Sequence, residues 1–229
     1  MLTDIKRRVV SRVRRFRSSL PDAFLKNVNG VIHVGANVGQ ERDQYARHKL
    51  KVLWIEPIPD VFKKLVNNIA EFPKQKAAQY LLTDHDEKSY DFKIANNEGA
   101  SSSVLELALH KDIWPDVNFV DTLVLKSTTF DKMIACESVR MGDYQALVMD
   151  TQGSELLVLK GATQSIPELQ YIKIEAPDFE SYAGCCLVDD LIDFLEPFGF
   201  REMNRTKFAE HPNGGSYYDV VFKRKRRLI

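Results

Sequence analysis

Short apolar runs punctuate this chain, and between them apolar residues return every third or fourth position, the two rhythms of strand and helix. The first run is Gly30–Val34, and residues 41–49 follow it with helical spacing. A second run over 51–55 ends on Glu56, and a helix is predicted over 59–68, with Pro59 tolerated in its first turn. Residues 78–83 predict a third strand, with Asp84 one residue beyond. Strand, helix, strand, helix, strand is the order of a parallel, doubly wound α/β sheet.

The middle is less regular. Residues 90–94 alternate like a strand, 96–103 form a polar loop, and 123–127 predict another short strand. Thr129 is placed to cap a helix over 130–137. A buried strand over 146–150 ends on Asp150, and Thr151-Gln152-Gly153 turns into a helix over 154–160 that Gly161 ends. Residues 171–175 repeat the device and end on Glu175. A helix over 188–195 and strands over 200–203 and 217–222 complete the series. No internal repeat, low-complexity linker or second domain is visible, so residues 21–223 read as one domain.

Residues 1–20 place Ile5, Val9, Val13, Phe16 and Leu20 at helical spacing with arginines on the other faces, the pattern of a basic amphipathic helix. Three readings of it stay open: a helix packed on the domain, a peripheral contact with an anionic membrane, and a contact with nucleic acid. Residues 224–229 form a basic tail. Elsewhere charge balances. The 32 basic and 32 acidic residues cancel, so overall charge predicts no nucleic-acid partner. Cys136, Cys185 and Cys186 are too few and too poorly spaced for a disulfide framework or a zinc knuckle, and they read as reduced thiols. No run approaches the ~18 apolar residues a membrane span needs, and no secretory leader is evident, so the expected location is cytoplasmic, extending to the inner face of the membrane if the basic helix is an anchor.

Chemistry gathers at the strand ends. Val31-Ile32-His33-Val34-Gly35-Ala36-Asn37-Val38-Gly39-Gln40-Glu41 runs an apolar strand into a small-residue turn and then a helix, a cradle for the polar part of a nucleotide-like ligand. Its spacing is Gly-x-x-x-Gly, not the Gly-x-Gly-x-x-Gly of dinucleotide binders. In an open α/β sheet, ligands bind outside the carboxyl ends of strands, and Glu56, Asp84, Asp150 and Glu175 all lie there. A carboxylate at the end of strand two, as Glu56 would be, can accept both hydroxyls of a ribose. No His/Asp/Glu cluster has ligand spacing, so no metal is expected.

With these residues the chain resembles the FkbM-family methyltransferases, class I S-adenosylmethionine (SAM) enzymes. The resemblance rests on the glycine loop, Trp54-Ile55-Glu56-Pro57, Asn97-Glu98-Gly99-Ala100-Ser101-Ser102-Ser103 and Thr129-Phe130-Asp131-Lys132-Met133. Its most specific stretch runs from Met149-Asp150-Thr151-Gln152-Gly153 to Val158-Leu159-Lys160-Gly161-Ala162, and Ile174-Glu175 and Gly214-Gly215-Ser216-Tyr217-Tyr218-Asp219 close it. It covers about residue 28 to residue 223. His33 stands where many members carry an acid.

The resemblance implies a Rossmann-like fold with a mostly parallel seven-stranded sheet, an antiparallel last strand and helices on both faces. It implies that Gly35, Ala36, Asn37 and Gly39 hold the methionine part of SAM, with backbone N–H groups toward its carboxylate. Glu56 would take the ribose, Thr83 and Asp84 would sit at the adenine, and Ser102 with its neighbours would close over the cofactor. Asp150 would lie near the amino group and the reactive methyl. Asp150, Glu175 and His211 are the candidates to orient the acceptor or remove its proton. The implied reaction is O-methylation of a sugar hydroxyl in a glycan or natural product. A nicotinamide-dependent oxidoreductase and a non-catalytic nucleotide-binding module remain the alternatives.

Overall fold

The computed structural model of the protein describes residues 22–225. The amphipathic helix expected over 1–20 and the tail beyond residue 225 lie outside them. Seven strands form the main sheet in the order β3-β2-β1-β7-β8-β10-β9. They are β1 (Gly30–Val34), β2 (Lys51–Ile55), β3 (Gln75–Ala78), β7 (Ala146–Met149), β8 (Tyr171–Pro177), β9 (Phe200–Glu210) and β10 (Ser216–Arg224). The first five in spatial order pair in parallel, while β10 runs antiparallel to both β8 and β9. The strand order reverses between β1 and β7, which places the ligand-binding crevice at the ends of those two strands.

Both faces are covered. On one, Ile32, Leu53, Leu147, Ile172 and Val220 pack with α4 (Phe130–Cys136), α5 (Glu155–Lys160) and α6 (Val188–Leu195). On the other, Val31, Trp54, Val148 and Val221 pack with the short 3-10 turn Ala23–Asn27, α1 (Arg42–Arg47) and α2 (Pro59–Ile69). Helix α2 shows why the period matters: Val61, Leu65 and Ile69, four residues apart, are its buried positions. Each such side chain contributes about 1.5–3 kcal/mol when fully buried.

Between β3 and α4 the chain builds a second, three-stranded sheet in the order β4-β6-β5, from β4 (Leu81–Leu82), β5 (Ser89–Ala95) and β6 (Phe119–Thr128). A four-residue helix, α3 (His110–Ile113), lies in the connection between β5 and β6. The strand expected over 78–83 is therefore two pieces. The main-sheet strand starts earlier, at Gln75, whose buried side chain accepts a hydrogen bond from the Trp54 indole at 3.0 Å. A polar residue occupies a core position there, so the apolar run began too late. The strand expected over 200–203 extends to Glu210 as an edge strand, where alternate positions face solvent and carry no apolar signal.

Helix α4 is capped as the sequence indicates, with Thr129 Oγ1 accepting from the Lys132 amide at 3.2 Å. Gly161 follows α5 but not as a left-handed cap, since its φ is −79°. Its role is close approach: a Cβ there would fall 2.2 Å from the Thr83 carbonyl oxygen. Cys136, Cys185 and Cys186 are free thiols. Among the described residues, no helix is long and apolar enough to cross a membrane.

Candidate functional site

At the end of β1 the chain turns through Gly35, whose φ is +76°. A Cβ at this position would fall 1.9 Å from the Asp150 carbonyl oxygen, so β1 and β7 can run together to their ends only with glycine there. The Asp150 amide donates to the Val34 carbonyl at 3.1 Å and carries the pairing up to the carboxylate. The amides of Gly35 and Ala36 both donate to the Ile55 carbonyl at 3.0 Å. The Gly39 amide donates to the Ala36 carbonyl at 2.9 Å, and the Asn37 amide donates to Glu56 Oε2 at 2.8 Å. This differs from the expectation that these four amides face a ligand carboxylate. A turn this tight satisfies its own donors on the adjoining strand end, and what it offers is shape.

Glu56, just past β2, is buried, with Oε1 accepting from the Ile58 amide at 2.9 Å. Burial pushes its carboxyl up to about 7, against the pull of the Ile58 and Asn37 amides, and the Asp150 charge adds to the rise. Each carboxylate oxygen keeps a lone pair beyond its backbone bond, so Glu56 can still accept two hydroxyls.

The turn after β7 is organised by a residue whose role sequence reading missed. Glu155 is fully buried, and its Oε1 accepts from the amides of Thr151 at 2.8 Å and Gly153 at 3.2 Å. Burial raises its carboxyl above the ordinary glutamate value. Above this turn Gln152 donates to Asp150 Oδ1 at 2.5 Å and accepts from the Tyr182 hydroxyl at 2.7 Å. The same hydroxyl is 3.1 Å from the Ser101 carbonyl.

Of these, Gly35, Asn37, Glu56, Ile58, Asp150, Thr151 and Gln152 line one cavity of about 880 Å³, while Glu155 and Tyr182 support it from behind the wall. Leu81, Leu82, Ser101 and Ser102 are also part of its wall. Both serines are buried, and Ser102 Oγ accepts from the Ala95 amide at 3.0 Å. Asn37 holds the loop that carries them through a 3.2 Å bond to the Glu98 carbonyl. Glu175, Lys173 and Asp219 line it too, with the aromatic residues Trp114 and Phe208. Lys173 Nζ lies 2.8 Å from Asp22 and 3.5 Å from Asp219. Burial pulls the ammonium toward neutrality, and the two carboxylates more than reverse it, so Lys173 stays charged.

His33, the departure from the family pattern, is a packed core residue. Its ring stacks on Trp54 at 4.9 Å, and Nδ1 lies 3.1 Å from the Tyr45 hydroxyl. Burial, helped by the Lys173 ammonium, lowers its pKa to about 3, so it is neutral.

Five candidates lie off the cavity wall: Ala36 and Gly39, buried within the turn itself, and three more. Thr83 is fully buried in the seam against Gly161, and Asp84 sits 2.8 Å from His85 Nδ1. Neither lines the cavity, because β3 ends five residues before Thr83 and Tyr80, Leu81 and Leu82 reach the wall instead. His211 is buried, not exposed, and is engaged on both ring nitrogens: Nε2 is 2.9 Å from Asp112, and Nδ1 accepts from the Asn213 amide at 3.2 Å. It too is absent from the cavity wall, whereas His110, which the sequence did not single out, is part of it. Among the described residues, no group of three or more His, Cys, Asp or Glu is placed to hold a metal ion.

Comparison with known proteins agrees with this geometry. Residues 33–202 match the family model described as the methyltransferase FkbM domain. No curated protein matches the chain by sequence. Among solved structures, an uncharacterised protein from Listeria monocytogenes serotype 4b has a TM-score of 0.54 at 8% identity, covering 95% of this chain and 69% of that one. M. capricolum TrmK, solved in complex with S-adenosyl-homocysteine, has a TM-score of 0.52 at 8% identity, covering 91% and 69%. The fibrillarin pre-rRNA processing protein of Methanococcus jannaschii has a TM-score of 0.50 at 11% identity, covering 91% and 71%. Identities this low establish a shared fold. With the family match spanning residues 33–202 of 229, the chain belongs to the FkbM methyltransferase domain family, and its cofactor is SAM.

Proposed function

We propose that this chain is an O-methyltransferase that moves the methyl group of SAM to a sugar hydroxyl of a glycan or natural product. The observation that carries the reading is a single cavity whose wall holds the glycine loop and the buried Glu56 together with further carboxylates and the aromatic rings of Trp114 and Phe208. Carboxylates accept the hydroxyls of a polyol, and aromatic faces take the apolar side of a sugar ring. Of the ten charged residues lining the cavity, eight are acidic, with Arg47 and Lys173 the two cations. Such a wall repels a phosphate backbone, which weighs against a nucleic-acid acceptor.

The cradle fits SAM on two counts. Glu56 is a buried carboxylate with acceptor capacity left for the ribose, and Ile58 and Leu82 offer apolar contact to a flat base. Bound SAM supplies a methyl group already activated by the sulfonium. What remains for the protein is to hold the acceptor oxygen in line, exclude water and take the proton. Asp150, fixed by Gln152 at the end of β7, is placed to orient the amino group or the acceptor, and Glu175 lines the same cavity.

Mass spectrometry of surface glycans and secreted natural products from cells with and without the gene tests the reading. Loss of one O-methyl group from a sugar supports it, and unchanged methylation of every sugar counts against it.

A further inference from the structure

Gln152, in the turn after β7, has a φ of +55°, a left-handed conformation that glycine adopts more easily than any residue with a side chain. Gly153 follows it in the same region, at φ +97°. The chain therefore keeps a glutamine where the backbone alone favours a second glycine. Such strain persists only where the surroundings over-determine it. Here Glu155 holds the amides on either side, Ser103 Oγ donates to the Gln152 carbonyl at 2.8 Å, and the Cys186 amide donates to the Gly153 carbonyl at 3.3 Å.

What the side chain does is visible in its bonds. Its Oε1 accepts from the Tyr182 hydroxyl at 2.7 Å, and its Nε2 donates to Asp150 Oδ1 at 2.5 Å. A carboxylate only accepts and this hydroxyl donates, so the amide has a single orientation. Tyr182 is buried and packs against His110 with centroids 5.0 Å apart, which keeps its hydroxyl in place. Gln152 and Asp150 both belong to the cavity wall.

Asp150 also has charged neighbours. Burial raises the carboxyls of Glu56 and Glu155, and the Asp150 charge adds to both rises. A ligand cation beside Asp150 relieves that repulsion. SAM and its product S-adenosylhomocysteine share one, the ammonium of the methionine-derived part.

We propose that Gln152 is a positioning residue for the cofactor: braced by Tyr182, it aims the Asp150 carboxylate at that ammonium. This rests on the methyl-transfer reading above and names the group that sets its cofactor's amino end.

Calorimetry on the full-length protein tests it without an acceptor. The probes are S-adenosylhomocysteine and 5′-methylthioadenosine, which keeps the adenosine and the sulfur but lacks the amino acid part. Gln152→Gly is expected to bind the first about tenfold more weakly and the second as the wild type does. Its thermal unfolding is expected at the wild-type midpoint or above. Glycine takes φ +55° without strain, and Tyr182 keeps the Ser101 carbonyl, 3.1 Å away, as an acceptor. Gln152→Asn is one methylene shorter, and asparagine tolerates the left-handed region better than most side chains. The same selective loss is expected in it, which separates the missing amide contact from a loosened turn. Equal weakening of both probes, weakening of neither, or a fall in unfolding midpoint alongside the lost affinity overturns the proposal. A glycan fraction that accepts no methyl label refutes the sugar acceptor and leaves this result standing.

Discussion

The backbone amide of Asn37 donates to Oε2 of Glu56 at 2.8 Å, joining the glycine loop to the end of β2 through a buried carboxylate. The loop's shape and the proposed ribose acceptor are therefore one unit, and the protonation of Glu56 governs both. With a pKa of about 7 the carboxyl is mostly neutral near pH 6 and mostly charged near pH 8. Ribose hydroxyls donate to the charged form, so SAM binding releases a proton, and affinity should rise by about tenfold between those values. Glu56→Gln should weaken binding by about 1.5–3 kcal/mol at pH 8 and flatten the pH dependence. Titration calorimetry across pH checks both, and a variant with wild-type affinity would mean that Glu56 does not face the ribose. For the stability of the free protein the sign differs. The native state holds this proton from 4.5 up to about 7, so Glu56's contribution is present at low pH and lost as pH rises through about 7.

Gly35→Ala tests the junction of β1 and β7. The new methyl would overlap the Asp150 carbonyl, at a φ that disfavours any side chain. A loss of about 3 kcal/mol or more in denaturant unfolding is expected, with SAM binding reduced even where the fold survives.

Lys173 is the cation between Asp22 and Asp219 in the cavity wall. Lys173→Met keeps the length of the side chain and leaves two carboxylates facing each other. Chemical denaturation should show a loss of about 3–5 kcal/mol. Double replacement of Asp22 and Asp219 by Asn in the same background should recover part of that loss, since the repulsion is then gone.

The basic segment before Asp22 can be tested apart from the site. We propose that residues 1–20 contact anionic membranes, on the strength of their amphipathic arginine pattern. Deleting them should reduce co-sedimentation with vesicles containing phosphatidylserine and leave SAM affinity unchanged. Equal sedimentation of the truncated protein would remove the anchor role.

The parts legible in the sequence share one property: an apolar strand running into a chemically distinctive end. Gly35, Glu56 and Asp150 stood out because β1, β2 and β7 are largely buried and read as mostly apolar runs, whereas β8 carries Lys173 and runs on past Glu175 to Pro177, so that carboxylate lies within the strand and not at its end. Where polar residues took core positions the signal failed, as at Gln75, and with β3 misplaced the adenine end was assigned to Thr83 and Asp84. His211 was offered as a candidate base because the carboxylate that engages it, Asp112, lies 99 residues earlier and is not visible beside it in the sequence. His110 was hidden for a similar reason: it opens a four-residue helix with no periodicity, and its partner Tyr217 is 107 residues away. Glu155 sat inside the most specific motif, but only the fold shows its carboxylate turned back under residues 151–153.

The most direct test of the central claim is methyl transfer in vitro. Full-length protein is incubated with methyl-labelled SAM and the glycan fraction of cells lacking the gene, and the labelled products are analysed by mass spectrometry. The account predicts label on the oxygen of a single sugar hydroxyl, with one equivalent of S-adenosylhomocysteine formed per methyl transferred. Label found on RNA or protein, with none on carbohydrate, would contradict it.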